Sequence, residues 1–332
     1  MNRKEKVVLV IMVTLALLSI TISVYLALTQ TCTNIKTCLN KKLYVINTGT
    51  EVHENFKAKY NGLKNKIGNF DVVAYNPPLK SGNLTGEDWN KITKDLTNMY
   101  DKYDAFVLLA SHDTIPYTAS ALSFMMENLG KPIVIADRDL VDALVLASQT
   151  RLPEVMIASK GRLLRGCRTV ANSDKDFWSP NYPDLDKKTA LNYPKETFQP
   201  KLVNPKNKIA VVKVYPGMDA TDLAPYMNMK GLHGIVLELF GNGSGPTSTQ
   251  FLKVIQDLAK KGVVIVAVSQ YDRIGDGTYE TDIRLLEAGV LSGYDMTTPA
   301  AYAKLAFLLG NVEEKKLLGQ LMDISFRGEM SL

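Results

Sequence analysis

With 332 residues, 46% hydrophobic and 22% charged, the chain is long enough to bury a large core and to divide into two domains. Its formal net charge of +5 is mild and its lysines and arginines are scattered, which argues against a nucleic-acid surface. The three cysteines form no C-x-x-C pair and no Cys/His cluster at metal-ligand spacing, so neither a metal nor another cofactor is expected.

Residues 7–28 are uncharged and follow Arg3, Lys4 and Lys6. As a helix such a run spans about 33 Å at roughly 1.5 Å per residue, against a hydrocarbon core of about 30 Å. The expectation is a single-pass type II signal anchor over 7–28. The basic flank 1–6 then stays cytosolic and the rest is lumenal or extracellular. Cleavage of the segment as a signal peptide, followed by secretion, is the alternative. Residues 29–42 are polar and read as a stalk, in which Cys32 and Cys38 either pair or stay free. Cys167 is left over and is expected to be buried. The tripeptides Asn83-Leu84-Thr85 and Asn242-Gly243-Ser244 fit a glycoprotein.

Beyond the stalk, short β-branched runs at 43–47, 105–109, 132–136 and 154–158 alternate with helical patterns at 86–101 and 117–129. Such alternation predicts parallel βαβ units. From 184 to 208 the pattern lapses into a polar stretch carrying Pro194, Pro200 and Pro205. Strands then resume at 209–214, 234–239 and 263–268, with helices at 248–260, 280–288 and 299–309. The expected fold class is α/β. A larger N-terminal parallel-sheet domain covers 43–190, a linker 191–207, and a smaller α/β domain 208–332.

Residues 108–114 read L-L-A-S-H-D-T, a strand end and loop leading into the helical stretch that begins at Tyr117. This segment resembles the bacterial-type L-asparaginases and glutaminases, whose loop reads H-G-T-D-T. The likeness is greatest to the cytosolic type I branch. It extends through P-P-L-K-S-G-N-L-T-G-E-D-W at 77–89, R-L-L-R-G-C-R-T at 162–169, S-P-N-Y-P at 179–183 and E-A-G-V-L-S-G-Y-D-M-T-T at 287–298. The resemblance implies amide hydrolysis by double displacement. One Thr attacks, a second Thr relayed through a Lys assists, an Asp holds the substrate ammonium and a Ser its carboxylate. A hydroxyl near its free pKa is a poor nucleophile, so the assisting groups are essential to that scheme.

Position by position, the match is partial. By resemblance Ser81 is the carboxylate-binding Ser and Asp113 the ammonium-binding Asp. The family's T-G-G-T-I is Thr48-Gly49-Thr50-Glu51-Val52 here. Aligned without a gap, Glu51 stands at the nucleophile position and Val52 at the Ile; with one Gly deleted, Thr50 is the nucleophile. The assisting Thr is His112, read either as a solvated loop histidine or as a base that needs a positioned nucleophile. Asp113 is open to a second reading as a helix cap, with Thr114 as the other capping candidate. The family Lys is Ala171, and the loop T-G-S-Q is Ala136-Asp137-Arg138-Asp139, which would crowd charge near the pocket and allow Glu51 to pair with Arg138. A mobile lid Tyr has only Tyr60 as candidate, and Arg165 and Arg168 read as structural.

With nucleophile, assisting Thr and Lys all altered, the leading expectation is a membrane-anchored family member, catalytically impaired or inactive, with a binding or interaction role. The alternative is an active L-asparaginase or glutaminase that releases ammonia through Thr50. A third is a redesigned site in which His112 and Glu51 form an acid/base pair. The resemblance also implies a small amino-acid ligand such as asparagine or aspartate, and a homo-oligomer.

Overall fold

The structure is a computed structural model that describes residues 41–49, 70–137, 139–173, 176–179, 185, 189–241, 243–271 and 280–331. The apolar run 7–28, Cys32 and Cys38 lie outside the described residues. Among the described residues no helix is long and apolar enough to cross a membrane.

Chain order is β1 (Leu43–Asn47), β2 (Phe70–Ala74), α1 (Gly86–Met99), β3 (Ala105–Leu109), α2 (Ile115–Met125), β4 (Ile133–Ala136), α3 (Leu140–Gln149), β5 (Val155–Ser159) and β6 (Arg162–Arg165). These strands form one sheet in the order β2-β1-β3-β4-β5-β6, parallel except for the last pair. A small antiparallel hairpin follows, β7 (Val170–Ser173) and β8 (Asp176–Trp178). The second sheet has the order β12-β11-β10-β9, all parallel. It comprises β9 (Lys208–Lys213), β10 (Leu232–Leu239), β11 (Val264–Ser269) and β12 (Val290–Ser292), with α4 (Ala220–Leu223), α5 (Thr249–Lys260), α6 (Glu280–Glu287), α7 (Thr298–Asn311) and α8 (Lys315–Met322).

The central strands are apolar along their whole length because both faces are covered. Period-two alternation splits their side chains cleanly. Tyr44, Ile46, Phe106 and Leu108 join Ile92 and Leu96 of α1 and Leu122 of α2 in one core. Leu43, Val45, Ala105 and Val107 join Leu140, Ala143, Leu144 and Ala147 of α3 in the other. Each fully buried side chain of this size contributes about 1.5–3 kcal/mol. A one-residue slip in β1 or β3 would exchange the two sets, which fixes the register.

Helix α2 is buried on nearly every side because a second partner, α7, covers the face turned away from the first sheet. Phe124 stacks near Phe307 with ring centroids 6.3 Å apart, and Tyr302 meets both Trp89 and Tyr117 edge-on. Gly166 lets the chain pass close beneath α2, since a Cβ there would sit 2.8 Å from the Val155 carbonyl oxygen and 3.1 Å from Ser123 Oγ.

Three buried ion pairs tie this joint. Glu154 receives Arg165 Nε at 2.7 Å, Asp295 receives Arg168 at 2.6 Å, and Glu329 receives Lys304 Nζ at 2.8 Å. Arg165 and Arg168 are structural, as their positions in the sequence suggest. Burial pushes the Asp295 carboxyl up, but hydrogen bonds from Arg168 and Ser331 outweigh it and hold the group below its ordinary range. Lys304 is fully enclosed, and its ammonium also donates to the Met322 and Ile324 carbonyls. Glu329 in turn accepts the Phe326 and Arg327 N–H groups, so the last turn of chain is fastened to α7. Lys304→Met would strand the Glu329 charge in the core and should cost about 3–5 kcal/mol in urea unfolding. Adding Glu329→Gln to Lys304→Met removes the stranded charge and should recover part of that loss.

Candidate functional site

In a sheet ordered 2-1-3-4-5 the chain leaves β1 on one side and β3 on the other, opening a crevice beyond their carboxyl ends. The segments predicted to carry chemistry meet there. Thr48, just past β1, donates both its N–H and its hydroxyl to the Leu109 carbonyl, at 3.0 and 2.8 Å. Its own carbonyl accepts the Leu79 N–H at 2.7 Å. That bond holds the segment leading to Ser81, which opens a single 3-10 turn, Ser81–Asn83. The Ser81 turn lies within 8 Å, Cα to Cα, of the 3-10 turn His112–Thr114. Thr50, Glu51, Tyr60 and Arg138 lie outside the described residues.

His112 is 8% exposed, which corrects the reading of a solvated loop histidine. Its Nε2 is 2.6 Å from the Ser173 carbonyl oxygen, and since a carbonyl only accepts, Nε2 carries the hydrogen. Its Nδ1 faces Asp137 Oδ2 at 3.9 Å. The ring packs against Phe177 with centroids 4.4 Å apart. An imidazole is larger than the Thr side chain that the resemblance expects there, and the β7–β8 hairpin provides its wall.

Asp113 is exposed and makes no hydrogen bond or ion pair among the described residues. The capping reading is corrected for both candidates. Neither 3-10 turn nor α2 has a side-chain cap here, and the Thr114 hydroxyl points back to the Ser111 carbonyl at 3.4 Å. Pro116 in the first turn removes one of the N–H groups a cap would serve.

The charged loop after β4 divides its roles. Asp137 faces His112, whereas Asp139 caps α3 by accepting the Asp142 N–H at 3.0 Å. Ala171 is exposed on β7, two positions before Ser173. Lys160 does not stand in for the missing Lys. It pairs with Asp176 at 2.7 Å, and this hydrogen bond is the main reason that the Asp176 carboxyl lies below its usual range. Cys167 is buried, as expected, and burial pushes its thiol up to about 12, so it is inert as a nucleophile.

Sequence reasoning missed the hairpin and Asp137 as partner of His112. A signal was available: the turn formers Asn172-Ser173-Asp174 between Val170-Ala171 and Phe177-Trp178 fit a hairpin.

Two stacked parallel-sheet units with polar groups gathered at one carboxyl edge define a two-domain α/β enzyme scaffold. Residues 41–196 match the family described as "Asparaginase, N-terminal" and residues 208–322 the "Glutaminase/Asparaginase C-terminal domain". L-asparaginase 1 of Escherichia coli strain K12 is 33% identical over 292 residues, covering 80% of this chain and 86% of that protein. The 60 kDa lysophospholipase of Mus musculus is 30% identical, covering 79% of this chain and 51% of that protein. L-asparaginase I of Vibrio cholerae superposes with a TM-score of 0.80 at 31% identity, covering 88% of this chain and all of that one. The chain belongs to the asparaginase family.

These findings correct the placement as a type II membrane protein, and with it the lumenal or extracellular location. The family likeness is to L-asparaginase 1 and L-asparaginase I, and no helix of the described residues is long and apolar enough to span a membrane. The ground for that placement was one apolar run, 7–28, which lies outside the described residues.

Because Asp113 is exposed and caps nothing, Asp113→Ala should leave stability within about 0.5 kcal/mol of wild type. His112→Ala, which removes a buried hydrogen bond and a ring contact, should cost about 1–3 kcal/mol. Urea denaturation of the two variants side by side separates these expectations.

Proposed function

We propose that this chain is an amidohydrolase of the L-asparaginase type, which releases ammonia from the side-chain amide of asparagine or glutamine and leaves the acid. Asp113 carries the reading. It is an exposed carboxylate with no hydrogen bond or ion pair among the described residues, at the carboxyl edge of the central strands, beside the turn that bears Ser81. That arrangement supports an amino-acid ligand held by its ammonium on Asp113 and its carboxylate on Ser81. A hydrogen bond to a charged group contributes about 1.5–3 kcal/mol.

In this reading the Thr50 hydroxyl attacks the amide carbon. The C–N bond breaks, the nitrogen leaves as ammonia, and water then frees the acid from the acyl-Thr50 ester. His112 takes over proton transfer from the assisting Thr. Its Nε2–H is committed to Ser173, so Nδ1 accepts the hydroxyl proton and returns it to the leaving nitrogen. Asp137, 3.9 Å from Nδ1, faces the positive charge that develops. Self-association is part of the proposal, carried by the family resemblance.

A second reading, an impaired enzyme that binds an amino acid without turnover, is favoured by Ala171, which offers no cation where the resemblance expects Lys. Glu51 at the nucleophile position belongs to that reading.

Ammonia release by the purified full-length chain, with asparagine and with glutamine, distinguishes the two. Thr50→Ala should abolish turnover. His112→Ala should lower kcat by about 10²–10⁴-fold. Asp113→Ala should raise KM about tenfold or more, in line with loss of one charged hydrogen bond. A silent wild-type chain that still binds aspartate through Asp113 would establish the second reading.

A further inference from the structure

The amino-terminal ends of the same strands, opposite the proposed active site, carry a feature which amide hydrolysis does not use. A groove of about 360 Å³ is lined by Lys41, Asp104, Gly130, Lys131, Pro132, Arg151 and Tyr193. Its three cations come from separate elements. Lys41 precedes β1, Lys131 precedes β4, and Arg151 lies between α3 and β5. Asp104 is the one acid among the lining residues, and its Oδ2 already accepts the Lys42 N–H at 2.7 Å.

The two ammonium groups are held in place. Lys41 Nζ donates to the Thr150 and Ala147 carbonyls at 2.5 and 3.4 Å, closing the carboxyl end of α3. Lys131 Nζ donates to the Tyr100 and Tyr103 carbonyls at 2.5 and 2.8 Å. An ammonium has three N–H donors, so Lys41 retains one, while the Lys131 ammonium also sits 4.7 Å over the Tyr100 ring. Arg151 is exposed and its guanidinium has no partner among the described residues. Tyr193 donates its hydroxyl to the Arg151 main-chain carbonyl and leaves its ring on the rim.

Capping α3 accounts for Lys41 alone. It does not account for a second pinned lysine and a free arginine lining the same groove. We propose that this groove binds a phosphate group, as inorganic phosphate or as a soluble phosphomonoester. A tetrahedral dianion can present oxygens to several of the cations that line one groove, and it offsets a charge excess that a planar monocarboxylate would offset only in part. The Lys41 ammonium agrees with this. Burial first, and then repulsion from Arg151, lower it to about 8, against a smaller opposing pull from Asp104.

The test is calorimetric titration of the full-length chain with inorganic phosphate, AMP and acetate at low ionic strength. Phosphate should bind in the millimolar range or tighter, weaken with added salt, and exceed acetate by about tenfold. Arg151→Gln and Lys131→Gln should each weaken phosphate by about tenfold. Arg151 is exposed and its guanidinium makes no hydrogen bond or ion pair among the described residues, so its variant should keep the fold intact. Ammonia release, where present, should be unchanged in Arg151→Gln, whereas Asp113→Ala should leave phosphate binding unchanged, so the two sites fail independently. Binding of phosphate but not AMP assigns the groove to the free ion; binding of both assigns it to phosphomonoesters. No heat with either, equal binding of phosphate and acetate, or binding unaffected by both variants would overturn the proposal.

Discussion

The candidate site rests on one carbonyl. Leu109, the last residue of β3, accepts two hydrogen bonds from Thr48, one from its N–H and one from its hydroxyl. Thr48 is buried, so both donors would be costly to leave unmade. This contact continues the β1–β3 pairing past the sheet and splays the chains only afterwards. Thr48 then passes the constraint to a third segment through its own carbonyl and the Leu79 N–H. The stretches that lead to Thr50, to His112 and Asp113, and to Ser81 thus leave a single hydrogen-bonded knot. Among the described residues, the backbone that carries Ser81 and the backbone that carries His112 and Asp113 both leave from it.

The departures from the family pattern fit together as one structural change. By the resemblance, His112 stands where a Thr is expected and Ala171 where a Lys is expected, at positions far apart in sequence. Ala171 and Ser173 lie on the same strand, and Ser173 supplies the carbonyl that fixes the imidazole. Phe177, across the hairpin, supplies the surface on which the ring packs. The hairpin that has lost a cation therefore holds the group that brings in a titratable ring. An imidazole is a proton acceptor and donor in one residue, while the Thr relay needs the Lys to complete it. In the proposed reaction, this ring is the route that the proton takes where the resemblance expects a Thr and a Lys.

Much of the scaffold was legible in sequence. β1 and β3 occupy the predicted residues because continuous β-branched runs bounded by polar loops leave few alternatives. β2 was missed: its burial alternates weakly, as an edge strand with one exposed face does, and Val73 is out in solvent. α3 was missed because its sequence, L-V-D-A-L-V-L-A-S-Q, is apolar enough to resemble a strand, and its Asp139 cap was read as pocket charge. At the site, the resemblance singled out Ser81, His112 and Asp113 but said nothing of their surroundings. His112 is buried against Phe177, with its Nε2 on the Ser173 carbonyl, 65 and 61 residues further along the chain. These are tertiary facts that no local pattern encodes.

The buried ion pairs explain how the hairpin can be held firmly enough to serve the site. Burying Arg168 and Asp295 together gives little net stability compared with an apolar pair of the same volume. What it confers is register. Arg168 ends the 3-10 turn Gly166–Arg168, one residue before Thr169 and two before β7 begins, and its guanidinium also meets Ser331 of the terminal segment. The same turn is pressed under α2 at Gly166, and the Thr169 hydroxyl closes it on the Arg165 carbonyl at 2.6 Å. The root of β7 is thus fixed to α2 on one side and to the loop after β12 on the other. A hydrophobic plug could fill that space but would allow the turn to rotate. A forked guanidinium on a carboxylate admits one orientation, and that orientation sets where Ala171 and Ser173 emerge above the strand ends.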